Sequence, residues 1–156
     1  MHITIVAVGQ KLPAWAQTAV DDYLGRFPRD FTVTVKEVKA EARTGGKPVA
    51  QVMAAEAERI ERAVPAGDIL VAMDEHGRDM TTVDFSKKIS GWKNEGCGVT
   101  FIIGGADGLD PALKAKARMM LRLSSMTLPH AFARVLLTEQ IYRAWSILAN
   151  HPYHRV

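Results

Sequence analysis

Two apolar runs in the second half of the chain stop abruptly at residues that a strand interior tolerates poorly. Val99 to Ile103 runs into Gly104-Gly105, and Leu121 to Leu128 runs into Pro129-His130. Between them, Asp110-Pro111 reads as the N-cap and first residue of a helix, because proline has no N–H for the first turn to leave unpaired. Strand, helix and strand in that order form a βαβ unit. In an open parallel sheet, ligands bind at the carboxyl ends of the strands. The pattern therefore predicts a ligand site at Gly104 and Leu123–His130, joined by Met73 at the end of another apolar run.

The rest of the chain alternates in the same way. Ile3 to Val8 is apolar and closes at Gly9, the pattern of a strand buried on both faces. Pro13 opens a helix whose stripe is Leu12, Trp15, Ala16, Ala19, Val20, Tyr23, Leu24 and Phe27, spaced three and four apart. Phe31 to Val38 alternates apolar with polar, which predicts a strand with one wet face at a sheet edge. A helix from Pro48 to about Val64 follows, then a strand over Ile69–Met73 and a helix over Thr82–Asn94. The expected fold is a five-stranded α/β domain, mostly parallel, flanked by helices.

Three segments invite functional readings. Lys39 to Lys47 is basic and glycine-containing without periodicity, either a solvated connection or an RNA-contacting arm. Asp74 to Asp79 follows a buried strand and reads as a polar loop, an exposed turn or a site loop. It holds one histidine with no second at ligand spacing, so no metal is expected. The tail Asn150 to Val156 concentrates two histidines, a tyrosine and an arginine, and either frays or serves a site.

The helix leading into that tail, Ala131 to about Ala149, is apolar nearly all round. Leu137, Ile141, Ala144 and Leu148 form one stripe, and Phe132, Leu136 and Ile147 form another. Such a helix is buried on more than one side. In a chain of 156 residues the simple solution is a second copy related by two-fold symmetry. A glutamate at Ile141 or Leu148 is then expected to split or unfold the protein.

Composition narrows the classes. One cysteine, Cys97, excludes an intrachain disulfide and a multi-cysteine zinc site. No apolar run has the length of a membrane span and the first residues lack a signal-peptide pattern, so the expectation is a cytoplasmic protein. The net charge of +3 permits a polyanionic partner without requiring one. Gly104 to Gly108 is neither a dinucleotide fingerprint nor a P-loop, and no serine sits in a nucleophile elbow.

The segments VAVGQKLPAW, YLGRFP, FIIGGADGL, LSSMTLPHAFARVLLTEQIYRAWSI and NHPYHR together resemble the ribosomal RNA large subunit methyltransferase H family. That family belongs to the SPOUT class of α/β-knot methyltransferases, and the resemblance spans residues 1–156 as one domain. It implies a C-terminal trefoil knot, a homodimer, and S-adenosylmethionine as cofactor. It also implies methylation of N3 of a pseudouridine, at position 1915 of 23S rRNA, in assembled ribosomes. Carried over by motif, Met73, Gly104, Leu123, Ser124, Ser125, Met126, Thr127 and Leu128 correspond to the cofactor site. The family more often has Pro-Glu where this chain has Ala106-Asp107.

The chemistry of that reaction assigns roles to the remaining candidates. An imide nitrogen must lose its proton, so His154 is the first candidate for a general base and His130 the second. Arg155 would steady an anion or grip a phosphate, and Tyr153 would stack on a base. The rival from another class is a ribosome- or RNA-binding protein of this fold without activity. A third is a flavodoxin-like nucleotide-binding domain.

Overall fold

A computed structural model of the chain describes residues 1–9 and 11–155. Gln10 of the opening motif and Val156 of the tail lie outside the described residues.

The elements alternate as the apolar runs require. They are β1 (His2–Val8), α1 (Ala14–Leu24), β2 (Thr32–Val38), α2 (Val49–Ala63) and β3 (Ile69–Arg78). Then come α3 (Thr82–Asn94), β4 (Val99–Ile103), α4 (Pro111–Lys116), β5 (Met119–Leu121) and α5 (His130–Leu148). The strands form one sheet in the order β2-β1-β4-β3-β5, and every pairing is parallel. β2 lies at an edge and alternates between exposed and half-buried, as its pattern predicts. β1 and β4 sit in the interior, where a parallel strand is covered on both faces, and their buried residues are apolar except Thr4 and Thr100, whose hydroxyls bond to His2 and Asp68.

Side chains on successive residues point to opposite faces, and the core divides accordingly. Ile3, Ile5, Ala7, Phe101 and Ile103 face α3 and α5, meeting Phe85, Ile89, Trp92, Leu137 and Ile141. Val6, Val8 and Ile102 face the other way, onto Ala57 and Ile60 of α2 and Leu113 of α4. Local chemistry fixes the helix starts. Asp110 Oδ2 accepts the Leu113 N–H at 3.2 Å with Pro111 in the first turn, and Thr81 Oγ1 accepts the Asp84 N–H at 3.1 Å.

Three expectations need correction. The run Leu121 to Leu128 is not a strand: β5 covers Met119–Leu121, and residues 122–129 form a loop. Ser124 Oγ takes the Met126 N–H at 2.9 Å, a local bond that competes with a sheet ladder and turns the chain. Asp74 to Arg78, read as a loop, instead continues β3 past a bulge opposite β5. Ile141 also belongs elsewhere than expected. It is fully buried in the chain's own core, whereas Phe132, Leu136 and Leu148 are exposed on α5. A charge at Ile141 therefore tests folding, and only the second stripe and Leu148 remain for a partner.

Candidate active site

The order of the sheet decides where a cleft opens. From β1 the chain moves outward to β2, then returns across to β3 and β4, so β1 and β4 flank a topological switch point. A cleft of about 870 Å³ lies at their carboxyl ends, with Val8 and Gly9 on one side and Ile103 to Leu109 on another. Its walls include Met73, Leu121, Leu123, Ser124, Met126, Thr127, Leu128 and His130. Of the residues assigned to a cofactor by resemblance, only Ser125 does not line it. Met126 is 76% exposed, an apolar side chain left at the mouth rather than packed in the core.

The glycine loop is tightly folded. Gly108 N–H donates to the Gly105 carbonyl at 3.0 Å, and the two residues form an isolated antiparallel bridge. A Cβ on Gly104 would stand 2.6 Å from the carbonyl carbon of Gly108. Small residues therefore keep backbone rather than side chain at this wall.

Charged groups ring the cleft, Asp74 from the segment read as a possible site loop and Lys11 and Lys114 without a signal in the sequence. Lys114 Nζ donates to Asp74 Oδ2 at 2.9 Å, and both line it, as do Lys11 and Asp107. Arg43, from the basic loop, pairs with Asp107. Arg59 donates to the Lys39 carbonyl at 2.8 Å and to Glu41 at 3.2 Å, which ties the same loop to α2. Lys39–Lys47 is thus strapped down on the protein, with its central Arg43 against the glycine loop. Glycine-loop residues separated from Arg43 by more than sixty positions carry no local signal of that pairing.

His130 opens α5 at the floor of the cleft. Its Nε2 is buried without a hydrogen-bond partner among the described residues. Burial, and then the Arg134 guanidinium, hold the imidazole below its ordinary value, against smaller opposing pulls from Glu37 and the Gly104 carbonyl. Arg134 is itself buried, with Nη2 3.4 Å from Glu37 Oε1. In the unfolded chain this histidine takes up its proton near the usual value of about 6.5, before the folded chain does. Proton uptake then favours unfolding as pH falls through that range, and the penalty grows until the folded state protonates too. The melting temperature should fall more steeply between about pH 7 and pH 5 for the wild type than for His130→Gln. Parallel curves would refute this account.

The tail is ordered by the end of α5. Asn150 adopts φ 54°, and the chain doubles back through two bonds, His151 N–H to the Ser146 carbonyl at 2.8 Å and Asn150 N–H to the Ile147 carbonyl at 3.3 Å. This is a Schellman motif with asparagine at the left-handed position. It returns His154 over the helix, where its Nδ1 lies 2.7 Å from Ser146 Oγ. Tyr153 donates its hydroxyl to Glu139 Oε1 at 3.2 Å and meets the Tyr23 hydroxyl at 3.0 Å. Burial, followed by the bond to Tyr23, raises the Tyr153 phenol well above its usual value, so it stays protonated. Arg155 is exposed. The tail is therefore a seated element and not a frayed end.

The structure brings His130 to the cofactor-site residues and places the tail elsewhere. Tyr153, His154 and Arg155 do not line the cleft. About 24 Å of helix separates His130 from Ser146, against which His154 rests.

The family model described as "Predicted SPOUT methyltransferase" matches residues 1–154. The chain is 54% identical over 156 residues to ribosomal RNA large subunit methyltransferase H of Ralstonia pickettii, covering 100% of both chains. It is 55% identical over 155 residues to the protein of that name from Bordetella avium, covering 99% of each. Among solved structures, a probable methylase family protein from Haemophilus influenzae superposes with a TM-score of 0.59 at 13% identity, over 99% of this chain and 70% of that one. At that identity the likeness speaks for the fold alone. Sequence match over nearly the whole chain, parallel sheet and cleft at the switch point agree: the chain belongs to the SPOUT methyltransferase family.

Proposed function

We propose that this chain methylates ribosomal RNA of the large subunit, at N3 of a pseudouridine at position 1915 of 23S rRNA, with S-adenosylmethionine as cofactor. The observation that carries this reading is the full-length identity to relatives named for large-subunit rRNA methylation. Action on ribosomes would place it in the cytoplasm. Among the described residues no helix is long and apolar enough to cross a membrane.

The cleft suits the cofactor. Its volume of about 870 Å³ is within the range of small-molecule sites, and its lining joins apolar side chains to exposed backbone. Met73, Leu123 and Leu128 would wall the adenosyl group, and the Gly104 loop would offer it main-chain polar groups. When bound, the cofactor supplies a sulfonium methyl carbon whose bond to sulfur breaks as the bond to the acceptor nitrogen forms. The protein's share is to hold and align that cleft, since positioning alone contributes up to about 7–11 kcal/mol in favourable cases.

The acceptor side needs the tail, and the tail cannot reach its own cleft along about 24 Å of helix. A second copy resolves this. Trp15 and Phe132 are exposed, their rings 4.9 Å apart, and Leu136 continues the apolar patch along α5. The neighbouring Leu12, Pro13, Ala131 and Ala133 line the cleft, so the patch flanks its mouth. A two-fold axis across that patch would pair the α5 helices antiparallel and carry each tail to the other's cleft. In this arrangement Tyr153, His154 and Arg155 serve the acceptor nucleotide, and the homodimer is the catalytic unit.

Labelled methyl transfer to ribosomes that lack the modification tests the reading. Absence of transfer, with no cofactor heat in calorimetry at millimolar concentration, would favour a non-catalytic ribosome-binding protein. Assembled ribosomes should be much better substrates than a free stem-loop transcript. A net charge of +3 per chain gives a weak field for capturing naked RNA, so recognition rests on the shaped ribosomal surface. Equal turnover on both substrates would contradict this.

A further inference from the structure

The buried serine beneath the tail decides which nitrogen of His154 carries the proton. Ser146 is fully buried, and its hydroxyl oxygen accepts the backbone N–H of His154 at 3.2 Å. The hydroxyl hydrogen still needs an acceptor, since a buried donor left unpaired is costly. Thr138 on the same helix solves the equivalent problem by donating to the carbonyl of Arg134, four residues back, at 2.8 Å. Ser146 makes no such bond among the described residues; its one remaining contact is His154 Nδ1, at 2.7 Å. Ser146 therefore donates to Nδ1. A nitrogen that accepts a hydrogen bond is unprotonated, so the neutral ring carries its hydrogen on Nε2. That Nε2–H has no partner within the chain among the described residues.

We propose that His154 meets the acceptor nucleotide as a hydrogen-bond donor through Nε2–H, and that Ser146 is the positioning residue that fixes this tautomer. The inference rests on the reading that the tail serves the acceptor, and it replaces the expectation that His154 is the general base. A ring in this tautomer has no lone pair at Nε2 with which to take the imide proton. What it supplies is a donor for an imide carbonyl oxygen. As N3 gives its proton to solvent water and its electron pair to the incoming methyl carbon, negative charge spreads to the flanking oxygens. A fixed donor aimed at one of them acts as an oxyanion-type group does.

The tautomer has a direct signature. In the dimer labelled with nitrogen-15 at histidine, long-range proton–nitrogen correlation should show His154 Nδ1 unprotonated and Nε2 protonated, the signal being identified by its loss in His154→Gln. Ser146→Ala should shift that ring toward a mixture of tautomers. A His154 protonated at Nδ1 in the wild type would overturn the assignment. Rates test the role. Glutamine places an amide N–H near the Nε2 position but cannot act as a base, whereas asparagine places its amide nearer Nδ1. His154→Gln should keep kcat within about tenfold of wild type, while His154→Asn and His154→Ala should lose on the order of 10²-fold in kcat, the cost of one such donor. Glutamine as slow as alanine would overturn the donor role, and a loss confined to KM would mean a phosphate contact instead. If all three variants methylate ribosomes at the wild-type rate, the tail reading itself fails while the tautomer assignment stands.

Discussion

Gly104→Ala is expected to abolish measurable cofactor binding while leaving the sheet folded. The added Cβ would stand 2.6 Å from the Gly108 carbonyl carbon and 2.8 Å from both the Gly108 oxygen and the Leu109 nitrogen. All three are backbone atoms, so no side chain can swing aside, and the turn closed by Gly105 and Gly108 must move. That turn is one wall of the cleft, and main-chain groups there have no substitute once displaced. Affinity for S-adenosylmethionine should fall at least about a hundredfold, or about 2.8 kcal/mol. Calorimetry reads this, with circular dichroism checking the fold. Gly91→Ala is the matched control, because a Cβ there meets nothing within 4 Å and Gly91 lies inside α3. Alanine at that position should leave binding alone and add up to about 1 kcal/mol of stability. Wild-type affinity in Gly104→Ala would remove the glycine loop from the cofactor site.

Elements governed by local chemistry were legible before the structure. Apolar runs interrupted only by Thr4 and Thr100 identify β1 and β4 as interior strands, alternation identifies β2 as an edge, and Asp110-Pro111 marks the start of α4. The same reasoning fails where an apolar side chain serves a cleft instead of a core. Leu123, Met126 and Leu128 have the apolar composition of a strand, but they line a cavity wall and their backbone follows the Ser124 turn. Asp74 to Arg78 misleads in the opposite sense. Polar residues there suggest a loop, yet β3 continues because Gly77 lets the β5 backbone approach to within 2.7 Å of where its Cβ would be. The tail lay beyond local reading altogether. Its composition left fray and function equally open, and the contacts that settle its place run to Tyr23 near the other end of the chain and back to Ser146. His154 and His130, first and second candidates for one role, stand at opposite ends of α5 within a chain, a separation that residue type alone does not show.

That separation makes the largest functional prediction a test of shared sites. A chain truncated before Tyr153 retains a complete cleft: among the described residues, none of those removed lines it, and their bonds fall on α1, α5 and the tail itself. It should fold, dimerise and bind cofactor, yet lose methyl transfer by 10²-fold or more, roughly the loss of one oxyanion-type donor together with its neighbouring contacts. The Gly104→Ala chain has the opposite defect, an intact tail beside a damaged cleft. Each homodimer is then inactive. In a mixed dimer, however, the truncated chain's cleft faces the full tail of its partner, and one of the two sites is whole. Co-refolding the two chains in equal amounts should make half of the dimers mixed and restore about a quarter of the wild-type sites. Methyl transfer to ribosomes, compared with wild-type protein at the same total chain concentration, measures the recovery. If the mixture stays as inactive as its components although mixed dimers are shown by mass spectrometry, tail and cleft do not meet across the two-fold axis. If the truncated homodimer is already active, the acceptor nucleotide is served from within the cleft, and His130, whose Nε2 has no hydrogen-bond partner among the described residues, becomes the group to replace.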